Sequence, residues 1–118
     1  MLVVASETNV RRLTLLPAFL SLAGASVASA RRLDGNHAAR VRPTRPLRWH
    51  TLTVWRDEEA MRAFVRAPEH AAAMRETARL TTLGRFARFE VQRLDEATWA
   101  RALEALRQVP LVDYSAFR

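Results

Sequence analysis

The stretch WHTLTVWRDEEAMRAFVRAPEHAAAM, from Trp49 to Met74, contains a strand and a broken helix whose periods can be read from the residues. From Trp49 to Trp55 the side chains alternate. Trp49, Thr51, Thr53 and Trp55 share one face, and His50, Leu52 and Val54 share the other, the period-two signature of a strand. One face is expected to pack on helices and the other to line a cavity. Asp57 then offers a side-chain cap to a helix whose inward residues are Ala60, Met61, Phe64 and Val65. Ala67-Pro68 breaks or restarts that helix, because a residue before proline is pushed out of the helical region. The second segment, Glu69 to about Leu80, places His70 and Met74 one turn apart on one side. Aromatic and ionisable groups thus converge near one sheet face, which is how a small-molecule pocket is built.

Working outward, Arg11-Arg12, the apolar run Leu13 to Val27 and the triplet Ala28-Ser29-Ala30 imitate a secretory signal with its cleavage site. A strand-like segment, Leu2 to Ala5, precedes the arginines, and Pro17 interrupts the run. Both favour a structural helix, as does a length read as too short for a membrane span. In that helix Pro17 occupies the first turn, where its missing N–H is harmless. Phe19, Leu20, Ala23, Val27 and Ala30 face the core, and Ser21, Ser29 and Arg32 face outward. Asp34-Gly35-Asn36 supplies turn chemistry, and Ala38 to Val41 begins a second strand. Its continuation through Arg48 carries Pro43 and Pro46, so it is an edge strand or a connection within a hairpin, with charges that protect an edge. Arg85 to Leu94 alternates as a fourth strand. A last helix begins at Asp95 and buries Trp99, Leu103 and Leu106.

At 118 residues the chain, residues 1–118, is expected to form a single domain. The absence of cysteine excludes disulfides, thiolate nucleophiles and thiolate metal sites, and is in keeping with a cytoplasmic location. The net charge of +7 arises from nineteen arginines against twelve carboxylates, with no lysine. The arginines occur in every predicted element without a recognised binding motif, so no nucleic-acid partner is expected, and no membrane partner either. No glycine-rich phosphate loop, nucleophile elbow or dinucleotide fingerprint is present. The three histidines are dispersed, with no paired carboxylate at ligand spacing, so no metal site is expected.

The order strand, helix, strand, strand, helix, strand, plus a C-terminal helix over about residues 95–118, predicts an α+β, ferredoxin-like βαββαβ sheet with both helices on one face. The other face would need a cover. A second copy of the chain is the expected solution, giving a homodimer that closes as a two-subunit barrel.

Leu52-Thr53-Val54-Trp55 followed by Asp57-Glu58-Glu59-Ala60-Met61-Arg62-Ala63-Phe64 resembles the strand-to-helix signature of the dimeric α/β-barrel superfamily. That superfamily includes the antibiotic-biosynthesis monooxygenases of secondary metabolism and the IsdG-type heme-degrading monooxygenases. With His70 and Met74, the chain looks closest to small bacterial members whose function is uncharacterised. The likeness in element order extends over roughly residues 1–94. It implies that Trp55 stands where both groups keep a pocket tryptophan. Thr51 stands where the cofactor-independent quinol oxygenases carry asparagine. Met74 stands at the axial-histidine position of the heme degraders, and Glu7 near their first-strand asparagine.

The resemblance therefore implies an enzyme acting on a hydrophobic, aromatic or polycyclic small molecule by cofactor-independent oxygenation or a proton-transfer rearrangement. The alternative is a heme or ligand carrier without turnover. His70 can be read as a general base for a phenolic proton, as a heme ligand, or as a surface histidine with a local hydrogen bond. His70 and Glu7 are the candidate proton-transfer groups. Trp49, Thr51, Trp55, Phe64 and Met74 are the candidate substrate-binding residues, although a tryptophan or phenylalanine at such spacing also suits a core.

Overall fold

The computed structural model describes residues 1–114 and contains β1 (Leu2–Val10), α1 (Leu16–Arg32), β2 (Asn36–Arg45), β3 (Arg48–Trp55), α2 (Glu58–Val65), α3 (Pro68–Leu80), β4 (Thr81–Glu90), α4 (Trp99–Arg107) and β5 (Val112–Asp113). The strands form one antiparallel sheet in the order β2-β3-β1-β4-β5. The first four strands give the ferredoxin-like arrangement expected from the element order, and β5 is added beyond it at the β4 edge.

Two apolar layers sandwich this sheet. On one face Val27 and Ala30 of α1 pack with Trp55, Ala60 and Phe64. On the other, Ala102 and Leu106 of α4 cover Val3, Ala5, Leu52 and Val54. The second face was expected to await a partner copy, yet α4 already occupies much of it. The aromatic residues of β3 turn toward the other helices instead, because odd-numbered positions of β3 point to the α1 side.

Strand β2 lies at an edge, as its proline requires, with Pro43 opposite Trp49 and Pro46 in the turn that follows. The turn before it uses Gly35 at φ +85°, where a side chain would be strained and a β-carbon would meet Ala60 Cβ at 2.7 Å. Asp57 caps α2 by accepting from the Ala60 N–H at 2.9 Å, and Ala67, in extended backbone, separates α2 from α3.

Several boundaries and facings differ from expectation. Strand β1 extends to Val10 and β4 begins at Thr81, four residues before Arg85. Leu20 and Val65 are exposed, whereas Ser29 is buried. The helical run from Leu13 to Arg32 is 20 residues, by length and composition enough to cross a membrane. Here it lies along the sheet, burying Ser26, Val27, Ser29 and Ala30.

Candidate active site

A cavity of about 360 Å³ lies between the sheet and helices α1 and α3. Its floor follows from strand alternation. The even-numbered residues of β1, Val4, Ser6 and Thr8, stand beside Thr51 and Thr53 of β3, so hydroxyls lie side by side on one surface. Ser6 and Thr51 hydrogen-bond to each other across the strands. Phe19 and Val27 of α1 form an apolar wall, and His70, Met74 and Thr77 of α3 form the wall facing it.

Among the described residues lining the cavity there is no carboxylate and no guanidinium, which leaves His70 as the strongest base available near neutral pH. The imidazole meets Phe64 edge-on at 4.4 Å, and Phe64 in turn stacks on Trp55 at 5.2 Å. Burial holds the His70 pKa below its ordinary value of 6.5, only partly opposed by the nearby Val65 backbone. Its place in the first turn of α3 works in the same direction as burial, since the positive end of the helix dipole disfavours imidazolium. A neutral imidazole carries its proton on one nitrogen and keeps a lone pair on the other.

Thr51, Phe64, Met74 and His70 all line the cavity. Trp55 does not. Its side chain is fully buried behind Phe64, and its indole N–H donates to Thr53 Oγ1 at 2.9 Å. Trp49 packs against Phe19 at a ring separation of 6.3 Å and donates to the Pro46 carbonyl at 3.1 Å. Both tryptophans sit on the expected face, but they support the wall residues and do not form the wall.

Glu7 is the larger departure. As an odd-numbered residue of β1 it points to the opposite face of the sheet. There His50 Nε2 lies 2.8 Å from Oε1, and Arg85 Nε lies 3.0 Å from Oε2. Burial alone would raise its pKa, but hydrogen bonding and charge from His50 and Arg85 outweigh that and hold it below the ordinary 4.5. It is removed from the cavity by the thickness of the sheet. Among the cavity residues that sequence reading missed are Ser6, Thr8, Phe19, Gly84 and Tyr114. The alternation Val4, Ser6, Thr8 was the signal for the first two.

Among the described residues no cation lines the cavity to pair with the propionates of a heme, and His70 or Met74, on the same helix wall, would be the residue to hold its iron. Among the described residues no three His, Cys, Asp or Glu side chains gather to hold a metal ion.

A family model described as antibiotic biosynthesis monooxygenase matches residues 15–76, just over half of the chain. The chain belongs to the antibiotic biosynthesis monooxygenase family. Among solved structures, a variant of SnoaB, a cofactor-independent oxygenase from Streptomyces nogalater, is 17% identical with a TM-score of 0.66 over 78% of this chain and 93% of that one. An antibiotic biosynthesis monooxygenase-type protein of Nitrosomonas europaea is 12% identical, with a TM-score of 0.71 over 79% of this chain and 100% of that one. Rv0793 from Mycobacterium tuberculosis is 14% identical, with a TM-score of 0.71 over 78% and 95%. At such identities these structures establish the antibiotic biosynthesis monooxygenase fold. No functionally curated protein matches the chain significantly.

Proposed function

We propose that this protein is an enzyme that oxygenates a hydrophobic phenolic compound of two or more fused rings without an organic cofactor or metal. The observation that carries the reading is the neutral, desolvated His70 in an apolar cavity with a hydroxyl floor and, among the described residues, no competing charge. Such a pocket favours a flat, apolar ligand whose few polar atoms meet the threonine and serine hydroxyls. His70 takes the phenolic proton, and the resulting phenolate is electron-rich enough to pass electrons to dioxygen. One oxygen atom becomes a carbonyl on a ring methylene carbon, while the other leaves as water with the two hydrogens of that carbon. SnoaB, similar in fold, is a cofactor-independent oxygenase, which supports the same assignment here.

A carrier that binds the same ligand without turnover is the second reading. It draws on Thr51, whose hydroxyl is already engaged by Ser6 at the position where the resemblance places an asparagine in quinol oxygenases. Oxygen uptake in the presence of a tricyclic phenol such as dithranol separates the two. Turnover that falls at least about tenfold in His70→Gln, with ligand affinity changed less, is the expected result for a proton-transfer group. Saturable binding with no oxygen uptake would support the carrier, and unchanged turnover in His70→Gln would remove the histidine from the chemistry.

A further inference from the structure

Beyond β4 the chain returns to the sheet edge as β5, paired among the described residues through Leu83 with Asp113 and Gly84 with Val112. Two such pairs hold little, and Leu111 and Val112 are both exposed, so this edge is not secured by apolar burial of those residues. Tyr114 follows immediately. Its N–H donates to the Thr82 carbonyl at 2.6 Å, and its ring contributes to the cavity wall.

The ring is seated on Gly84. A β-carbon there would come within 2.9 Å of Tyr114 Cε2, closer than van der Waals contact permits, so glycine is the residue that leaves room for the tyrosine. Gly84 itself lies opposite Thr8 of the cavity floor. Arg11, at the end of β1, fastens the arrangement. Its Nη2 donates to the Tyr114 carbonyl at 2.5 Å and to the Ala78 carbonyl at 2.7 Å, and its Nε donates to the Arg79 carbonyl at 3.1 Å. One guanidinium thus ties the terminal segment to the end of α3, the helix that carries His70.

We infer that Tyr114, seated on Gly84 and tethered by Arg11, is the end wall of the cavity and sets the length of aromatic ligand that the cavity admits. The inference rests on the reading of the cavity as a site for fused-ring phenols. A short ligand gains a contact with the tyrosine ring, whereas a longer one must displace the ring from its glycine seat.

Tyr114 is the chain's single tyrosine, so incorporation of 3-fluorotyrosine gives one fluorine resonance that reports this ring alone. Saturating 1-naphthol is expected to shift that resonance, with the same dissociation constant as naphthol fluorescence reports. In Gly84→Val the added side chain evicts the ring, so the resonance should move to the position of a solvated tyrosine without any change to Tyr114. In both Gly84→Val and Tyr114→Ala the affinity ratio of four-ring 1-hydroxypyrene to two-ring 1-naphthol should rise by up to about tenfold, the scale of one aromatic contact. Saturable naphthol binding that leaves the resonance unmoved, or an unaltered ratio in the two variants, overturns the end-wall assignment and leaves the cavity reading standing. Failure of 1-naphthol to bind the wild-type protein overturns the cavity reading, and the assignment with it.

Discussion

Burial without a counter-charge distinguishes His70 from His50, which is buried against the Glu7 carboxylate. Because burial depresses the folded-state pKa of His70 below 6.5, the unfolded chain binds that proton more readily. Stability from this residue is therefore lost as pH falls through 6.5 toward the folded value, and is constant above it. Urea midpoints of wild type and His70→Gln should diverge on the acid side of 6.5 and run parallel on the alkaline side. The same depression places the acid limb of the kcat/KM profile below 6.5 if this imidazole is the base; a limb at or above 6.5 would count against it. Glu7 has the opposite role. Its folded pKa is also lowered, but for a carboxylate this means stability present above 4.5 and lost as pH falls through the lower folded value. Removing one partner of a buried ion pair costs about 3–5 kcal/mol, and Glu7 is buried with its Oε2 at 3.0 Å from Arg85 Nε. Glu7→Ala should show a loss of that order in urea unfolding, with turnover per folded molecule close to wild type. A stable variant with no turnover would return Glu7 to the mechanism.

At the scale of elements, the break between α2 and α3 decides where His70 stands. Residue types around the break were legible in the chain: Asp57 caps α2, Ala67 adopts extended backbone before Pro68, and α3 restarts with proline in its first turn. Asp57→Ala removes the acceptor of the Ala60 N–H and should lower stability by about 1 kcal/mol, measured as a shift in the chemical-denaturation midpoint. A larger loss would mean that the cap also holds the β3–α2 corner, where Arg56 pairs with Asp34 and Asp57. Strand β1 was harder to delimit. Its later residues Ser6, Glu7, Thr8 and Asn9 are polar on both faces, because one face meets hydroxyls in the cavity and the other meets the ion cluster. Helix α1 hid its facing for a related reason, since the buried Ser26 and Ser29 do not register as apolar positions.

At the scale of the whole molecule, the question is what closes the second sheet face. Helix α4 covers Val3, Ala5, Leu52 and Val54, and Arg42 lies over its Trp99 ring at 4.6 Å, so the chain supplies part of the cover expected from a partner. A two-fold homodimer remains our proposal from the resemblance. Light scattering at micromolar concentration should then report about twice the 13.4 kDa of one chain, and a monodisperse monomer would refute it. The sequence by itself determined the element order, the break at Pro68, the edge character of β2 and the face shared by Thr51, Thr53 and the two tryptophans, because periodicity, caps and prolines act over a few residues. Only the tertiary structure decided that Trp55 is sealed behind Phe64, that Glu7 faces away from His70, and that Tyr114 reaches back to Gly84. Those outcomes depend on register between distant strands, where a shift of one residue exchanges the two faces of the sheet, and no local pattern records which strand will lie alongside.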